Sequence, residues 1–356
     1  MKLTSVLLIL CLLTSCAPST TPAPTSPPAL HPPTLRPAPS VTPYPTPTRA
    51  PTWTPEATAT VAASIATPDP FAAYTIDKLR MRQYGGGEIE NLGVMGQNDG
   101  FTRYSISYPS DGLKIYGFMN IPSGEGPFPV IIVLHGYVNP AGYQTLDYTT
   151  DAADGLARQG YLVIHPNLRN FPPSDKGDVL FRAGYAIDVL NLIDILQKTA
   201  QQPGALEKAN ASRIGIWSHS LGGDIALKVA VISRGVKAIL LYAPMSGDEQ
   251  KNSQFFNFMT GNPENQQEML APPETFAAVS PNRYYKDISA AIQLHHGTGD
   301  TIIPIAWAQE TCQELKEAGR EAQCYYYDGA EHTFRARYLV DFSPRMEAFF
   351  ASYLKQ

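Results

Sequence analysis

Ser218-His219-Ser220-Leu221-Gly222-Gly223 is the stretch of this 356-residue chain whose residue types point most directly to chemistry. An apolar run ending at Trp217 leads into it, and a helical pattern from Asp224 to Ile232 leads out. A serine set in a tight strand-to-helix turn presents its hydroxyl as a nucleophile for acyl transfer. Such a turn needs small residues two places to either side, because strand and helix approach closely there. Gly222 meets that need after Ser220, and Ser218, small but not glycine, stands before it. Ser218 is the poorer nucleophile, since the residue two places on is Ser220 rather than glycine. His219 is expected to pack at the turn, with its ring directed away from the position of a base.

A hydroxyl is a weak nucleophile without a base and a group that orients the base. In the chain order Ser, carboxylate, His, the carboxylate is Asp300, in Gly297-Thr298-Gly299-Asp300 after an apolar run ending at His295-His296. The base is His332, in the loop Asp328 to Phe334 after the last apolar run. Alone, Asp300 reads as a turn or capping residue and His332 as a surface histidine. In this order, each on a loop that follows a strand, the three read together as a triad. The rival carboxylates are Asp248, Asp328 and Glu331. The developing oxyanion needs two backbone N–H groups. Leu221, after the nucleophile, supplies one, and Tyr137, in the loop after Leu134-His135-Gly136, supplies the other. His135 is expected to brace that loop.

These loops need a scaffold, and the apolar runs provide it. Val130–Leu134, Tyr161–Ile164, Arg213–Trp217, Ala238–Tyr242, Ile292–His295 and Gln323–Tyr327 read as strands, several of them apolar throughout as in parallel sheets covered on both faces. Helical spacing intervenes, clearest at Tyr185, Val189, Leu192, Ile193 and Leu196. This alternation predicts a doubly wound, mostly parallel α/β sheet. A short helix is expected over Tyr74 to Gln83. The alternating runs Tyr104–Tyr108 and Leu113–Ile121 around Pro109–Gly112 predict a β-hairpin. The irregular stretch from Met245 to Tyr285, with Phe255, Phe256, Phe258 and Met259, predicts a small helical cap. Its aromatics either line an apolar pocket or glue the cap to the core.

The first residues read differently. Lys2 and the apolar stretch Leu3 to Leu13 are too short for a membrane span and suit an export signal. The stretch closes on Leu13-Thr14-Ser15-Cys16, which resembles the bacterial lipobox; that likeness implies cleavage before Cys16 and a lipid on its sulfur. Residues 16–70 are Pro-, Thr-, Ser- and Ala-rich and hold half of the chain's 32 prolines. Such a segment lacks the apolar side chains to fold and is expected to be an extended tether. The expected organisation is a signal over 1–15, a tether over 16–70 and a catalytic domain over 71–356. The chain would then be anchored to a membrane outside the cytoplasm, where Cys312 and Cys324 are free to pair or to remain thiols. The net charge of −5 and the absence of a basic run argue against nucleic acid as a partner. Nothing in the residues requires a metal or an organic cofactor.

A wider pattern carries a family resemblance. Gly117 to Pro122, Gly126–Val130, His135-Gly136, Ser280-Pro281, His296-Gly297, Asp300, Ile303-Pro304 and His332 resemble the α/β-hydrolase catalytic domains of the dienelactone hydrolase and prolyl oligopeptidase types. The likeness runs from about Leu113 to the C-terminus, and it implies the triad Ser220, Asp300 and His332. Dienelactone hydrolases proper use cysteine where this chain has Ser220. Too few residues precede Leu113 for the β-propeller of prolyl oligopeptidases, and Asn167-Leu168-Arg169-Asn170 departs from the peptidases' Asp-x-Arg-Gly. The expected activity is hydrolysis of carboxylic esters through an acyl-enzyme, with cleavage of short peptides or acyl-aminoacyl bonds as the alternative. A non-catalytic surface binding protein would be the reading had a triad member been missing.

Overall fold

The computed structural model of the protein describes residues 69–147, 149–261 and 263–356. The expected signal, the Cys16 lipidation site and all but the last two residues of the tether lie outside the described residues. The described strands are β1 (Glu90–Asn98), β2 (Phe101–Ser110), β3 (Leu113–Pro122), β4 (Phe128–Leu134), β5 (Leu162–Pro166), β6 (Ala209–His219), β7 (Val236–Tyr242), β8 (Ala291–Gly297) and β9 (Ala322–Tyr327). They form one sheet in the order β1-β2-β3-β5-β4-β6-β7-β8-β9. The first three are antiparallel, β3 pairs antiparallel with β5, and every later pair is parallel. The helices are α1 (Ile76–Arg80), α2 (Thr150–Arg158), α3 (Ala183–Thr199), α4 (Leu221–Ile232), α5 (Glu249–Thr260), α6 (Pro263–Glu268), α7 (Pro273–Val279), α8 (Ile305–Glu317) and α9 (Ala336–Leu354).

The apolar runs are continuous because both sheet faces are covered. Successive strand side chains point to opposite faces. Val130, Ile132 and Leu134 of β4 therefore join Val189 and Leu192 of α3, Ile225 of α4 and Leu315 of α8 in one buried cluster. Ile131 and Val133 join Ala153 and Leu156 of α2 and Phe342, Met346 and Phe350 of α9 in another. Each such side chain taken from water stabilises the fold by roughly 1.5–3 kcal/mol.

The expected hairpin is β2–β3, with Ser110 opposite Leu113 across the turn. The short expected helix is α1, preceded by a 3-10 turn over Ala72–Tyr74. β1 is an addition to the expected pattern. It lies at the sheet's antiparallel edge, and its residues are exposed along nearly all of its length.

The strand order also fixes where a site can form. From β4 the chain crosses to β5 on one side, and β6 then returns to the other side of β4. The loops after β4 and β6 leave this switch point in opposite directions and open a crevice at the carboxyl ends of the strands. Leu134 of β4 is paired with Ser218 of β6, so the Tyr137 loop and the Ser220 turn start side by side.

The turn at Asn167-Leu168-Arg169-Asn170 shows how this chain manages without the peptidases' glycine. Leu168 and Asn170 adopt left-handed backbone, φ 66° and 68°. Asparagine tolerates that conformation, and its side chain bonds both the N–H (2.9 Å) and the carbonyl (2.8 Å) of Gly177. Arg169 pairs with buried Asp188 at 2.8 Å and so ties this loop to α3.

Candidate active site

β6 runs straight into α4 through Ser220, whose backbone sits at φ 55°, ψ −116°. A non-glycine residue in that region costs of order 1–3 kcal/mol, and the surroundings enforce it. Ser220 N–H donates to the Tyr242 carbonyl (3.0 Å), while its own carbonyl accepts from Gly223 N–H (2.9 Å) and Met245 N–H (3.1 Å). Gly222 and Gly223 are required by close approach. A Cβ on Gly222 would lie 2.4 Å from the Leu134 carbonyl oxygen, and one on Gly223 would lie 2.5 Å from Pro244 Cβ. Ser218 Oγ donates to the Leu240 carbonyl at 2.7 Å, a structural bond across to β7 that leaves Ser220 as the hydroxyl at the tip of the turn. Ser220 is 8% exposed.

Asp300 follows β8 in a turn it closes itself, its Oδ1 accepting from Ile302 N–H (2.8 Å) and Ile303 N–H (2.9 Å). Its Oδ2 faces His332 Nδ1 at 2.7 Å and His296 Nε2 at 3.2 Å. Burial pushes the Asp300 carboxyl up, but the hydrogen bonds from His296 and His332 and the His332 charge outweigh it. The carboxyl is held well below the usual carboxylate range.

His332 lies on the loop after β9, with its side chain 13% exposed. Its ring packs at a tilt of 51° against His219, centroids 4.6 Å apart, which places it beside the residue that precedes Ser220. Ser220 Oγ makes no hydrogen bond to a described side chain. Catalytic hydrogen bonds are often long or poorly aligned before substrate arrives.

His219 is more than packing. Its Nε2 lies 3.0 Å from the His332 carbonyl oxygen, which can only accept, so Nε2 carries the proton. Burial, followed by the neighbouring His332 charge, pushes its pKa down to about 3.

The rival carboxylates are engaged elsewhere. Asp248 caps α5 through Gln250 and Lys251 N–H, Asp328 accepts from Thr298 Oγ1, and Glu331 pairs with Arg335.

Leu221 is the first residue of α4, so its N–H has no acceptor within the helix. The Tyr137 loop is braced by His135, whose Nδ1 lies 2.7 Å from the Gly136 carbonyl and Nε2 2.9 Å from the Asn167 carbonyl. The Tyr137 ring meets Phe171 and, from α5, Phe256 edge-on. Tyr137, Arg182, Tyr185, Phe256, Thr260 and Asn265 enclose a cleft of about 50 Å³. Clefts of about 310–370 Å³ elsewhere have no lining residue on the loops that carry Ser220, Asp300 or His332.

The expected helical insertion between β7 and β8 is formed by α5, α6 and α7. A buried ion cluster that the sequence did not reveal fastens it. Arg182, at the start of α3, pairs with Glu249 of α5 and, at 3.1 Å, with Glu268 of α6. Lys228 of α4 pairs with Asp224 at 2.6 Å and with Glu249. Ser253 Oγ donates to Glu268 at 2.6 Å. Burial pushes the Lys228 ammonium down to about 8. A disulfide joins Cys312 of α8 to Cys324 of β9, their Cα atoms 6.4 Å apart.

A mostly parallel sheet flanked by helices, with a strained serine at the end of β6, agrees with what comparison to known proteins finds. The dienelactone hydrolase family matches residues 115–348. The chain belongs to that family. It is a serine hydrolase of the α/β-hydrolase class, as the family match and the serine at the strand-to-helix turn show. Esterase EstD of Thermotoga maritima is 24% identical over 192 residues, which are 48% of this chain and 43% of that protein, so the match spans less than half of that relative's length. Acetyl xylan esterase 1 from Thermoanaerobacterium sp. JW/SL YS485 shares the fold at TM-score 0.57 and 16% identity, covering 80% of this chain and 94% of its own. Pyrococcus horikoshii acylaminoacyl peptidase shares it at TM-score 0.52 and 18% identity, over 77% of this chain and 51% of its own.

Proposed function

We propose that the protein hydrolyses carboxylic esters through an acyl-enzyme on Ser220. The observation that carries this reading is the 2.7 Å contact between His332 Nδ1 and Asp300 Oδ2 on loops that end next to the elbow. With Nδ1–H donated to the carboxylate, Nε2 is the free base. Ser220 Oγ attacks the ester carbonyl while His332 Nε2 takes its proton. The resulting oxyanion is held by the N–H groups of Leu221 and Tyr137. The imidazolium then protonates the leaving alkoxide, and water repeats the sequence on the acyl-enzyme. The low proton affinity of Asp300 keeps it ionised opposite the imidazolium.

The preference for esters is supported by the family match and by the esterase among the relatives. We further propose that Cys16 is lipidated and holds the enzyme at a membrane outside the cytoplasm, as the sequence around Leu13–Cys16 suggests.

The test compares kcat/KM of the full chain on nitrophenyl esters of increasing acyl length and on peptide nitroanilides, with Ser220→Ala as control. Fast turnover of short esters that vanishes in the variant is expected. Faster anilide cleavage would reassign the enzyme as a peptidase. Full activity in Ser220→Ala would overturn the triad.

A further inference from the structure

We propose that His296 is a positioning residue for the acid–base pair, holding Asp300 Oδ2 in line with His332 and tempering its pull on the imidazole proton. The inference rests on the reading of Asp300 and His332 as that pair. His296 is wholly buried near the end of β8, and its Nε2 lies 3.1 Å from the Ile303 carbonyl and 3.2 Å from Asp300 Oδ2. Both partners only accept, so Nε2 must carry the proton. That leaves Nδ1 as a buried acceptor, and it has no hydrogen-bond partner. A side chain present only to fill space would be better apolar at this point, because an unmatched buried acceptor destabilises the fold. What the imidazole adds over a leucine is a donor that bonds the Ile303 carbonyl and stands 3.2 Å from Oδ2.

The same oxygen receives His332 Nδ1 at 2.7 Å, while Oδ1 is occupied by Ile302 and Ile303 N–H. The two histidines therefore share one oxygen, and a second donor there weakens the carboxylate's hold on a proton at His332. The other titratable groups acting on Asp300 and His332 are His219, tilted against the His332 ring, and Tyr242, which feels the Asp300 charge.

The test replaces His296 in the full chain by Gln, whose amide reaches Oδ2, and by Asn and Leu, which supply no donor there. Two readouts are taken: the pH profile of kcat/KM on 4-nitrophenyl acetate, and the proton-NMR titration of His332 in a Ser220→Ala background. Expected is an upward shift of the His332 titration, and of the acid limb of the profile, by about half a pH unit or more in Asn and Leu. That shift would lower activity at pH 6 about threefold more than at pH 8. Gln is expected to keep the wild-type profile. An unchanged titration in both Asn and Leu, or equal losses at every pH in all three variants, would overturn the inference. A Leu variant that does not fold leaves the Asn–Gln comparison to decide. Ser220→Ala and Asp300→Asn report separately on the parent reading: if either keeps full activity, the triad fails whatever His296 does.

Discussion

The Leu134 carbonyl oxygen and Gly222 are in backbone contact: a Cβ on Gly222 would stand 2.4 Å from that oxygen. This contact seats the nucleophile turn against the end of β4 and sets the distance between Leu221 N–H and the Tyr137 loop. Gly222→Ala must therefore push α4 away from β4. We expect a loss of about 1–3 kcal/mol of stability and a fall in kcat/KM of at least about a hundredfold, as when an oxyanion donor is displaced. Urea unfolding and ester hydrolysis check the two together. Unchanged activity in a destabilised variant would separate the contact from catalysis.

Asp300→Asn retains the size of the carboxylate but not its charge. An amide can present its NH₂ to His332 and so favour the unproductive tautomer, and kcat should fall by about 10⁴. Fluorophosphonate labelling of Ser220 should slow in parallel. A fall of tenfold or less would move the orienting role to another group.

Acid should weaken the fold from near neutrality. Burial pushes both His219 and His295 down from 6.5 to about 3. Between those values the unfolded chain binds protons that the native chain refuses. Stability is complete above pH 6.5 and is lost as pH falls towards 3, by up to about 1.4 kcal/mol per pH unit for each histidine. His295→Asn, away from Ser220, should remove about one proton from that slope in urea midpoints measured from pH 4 to 7. An identical slope would show that His295 does not contribute.

Lys228→Met would leave Asp224 and Glu249 buried without their ammonium partner. Removing one member of a buried ion pair costs about 3–5 kcal/mol. Because Glu249 begins α5, limited proteolysis should cut first in the insertion. Protection equal to the wild type would mean that Arg182 alone holds it.

Opening the Cys312–Cys324 bridge, by reduction or by paired serine substitution, should cost about 3 kcal/mol from the loop of 12 residues. Thermal unfolding with and without reductant measures it.

What was legible in the sequence follows from physical range. β4 through β8 could be read because burial makes their runs apolar, and β9, partly exposed at the sheet edge, because its run of tyrosines favours a strand. β1 could not: its Leu92, Val94 and Met95 are all exposed, and Gly93 and Gly96 interrupt them. Ser220, Asp300 and His332 were marked by their place after strands. The contacts of His219 and His296 were hidden because each reads as a strand-end residue, and only the folded chain shows what its Nε2 faces. The ion cluster joins the i,i+4 pair Asp224–Lys228 of α4 to Arg182, Glu249 and Glu268 from other helices and helix ends, so local pattern shows only one of its pairs. Cys312 and Cys324 were visible, but their pairing depends on a Cα separation that only the packing of α8 on β9 sets.

The insertion leaves from β7 and returns to β8, adjacent strands in register from Ala238 opposite Ala291 to Tyr242 opposite His295. Because the strands run parallel, the segment leaves at the end of β7 and re-enters at the start of β8, and so must cross back along the sheet. Beyond that minimum, added length costs little. The segment behaves as a cartridge: a different one could be spliced in after Met245, whose N–H must stay on the Ser220 carbonyl. One condition travels with it. Any replacement must bring acidic side chains to the places of Glu249 and Glu268, or Asp224 alone would be left to balance Arg182 and Lys228 beneath it.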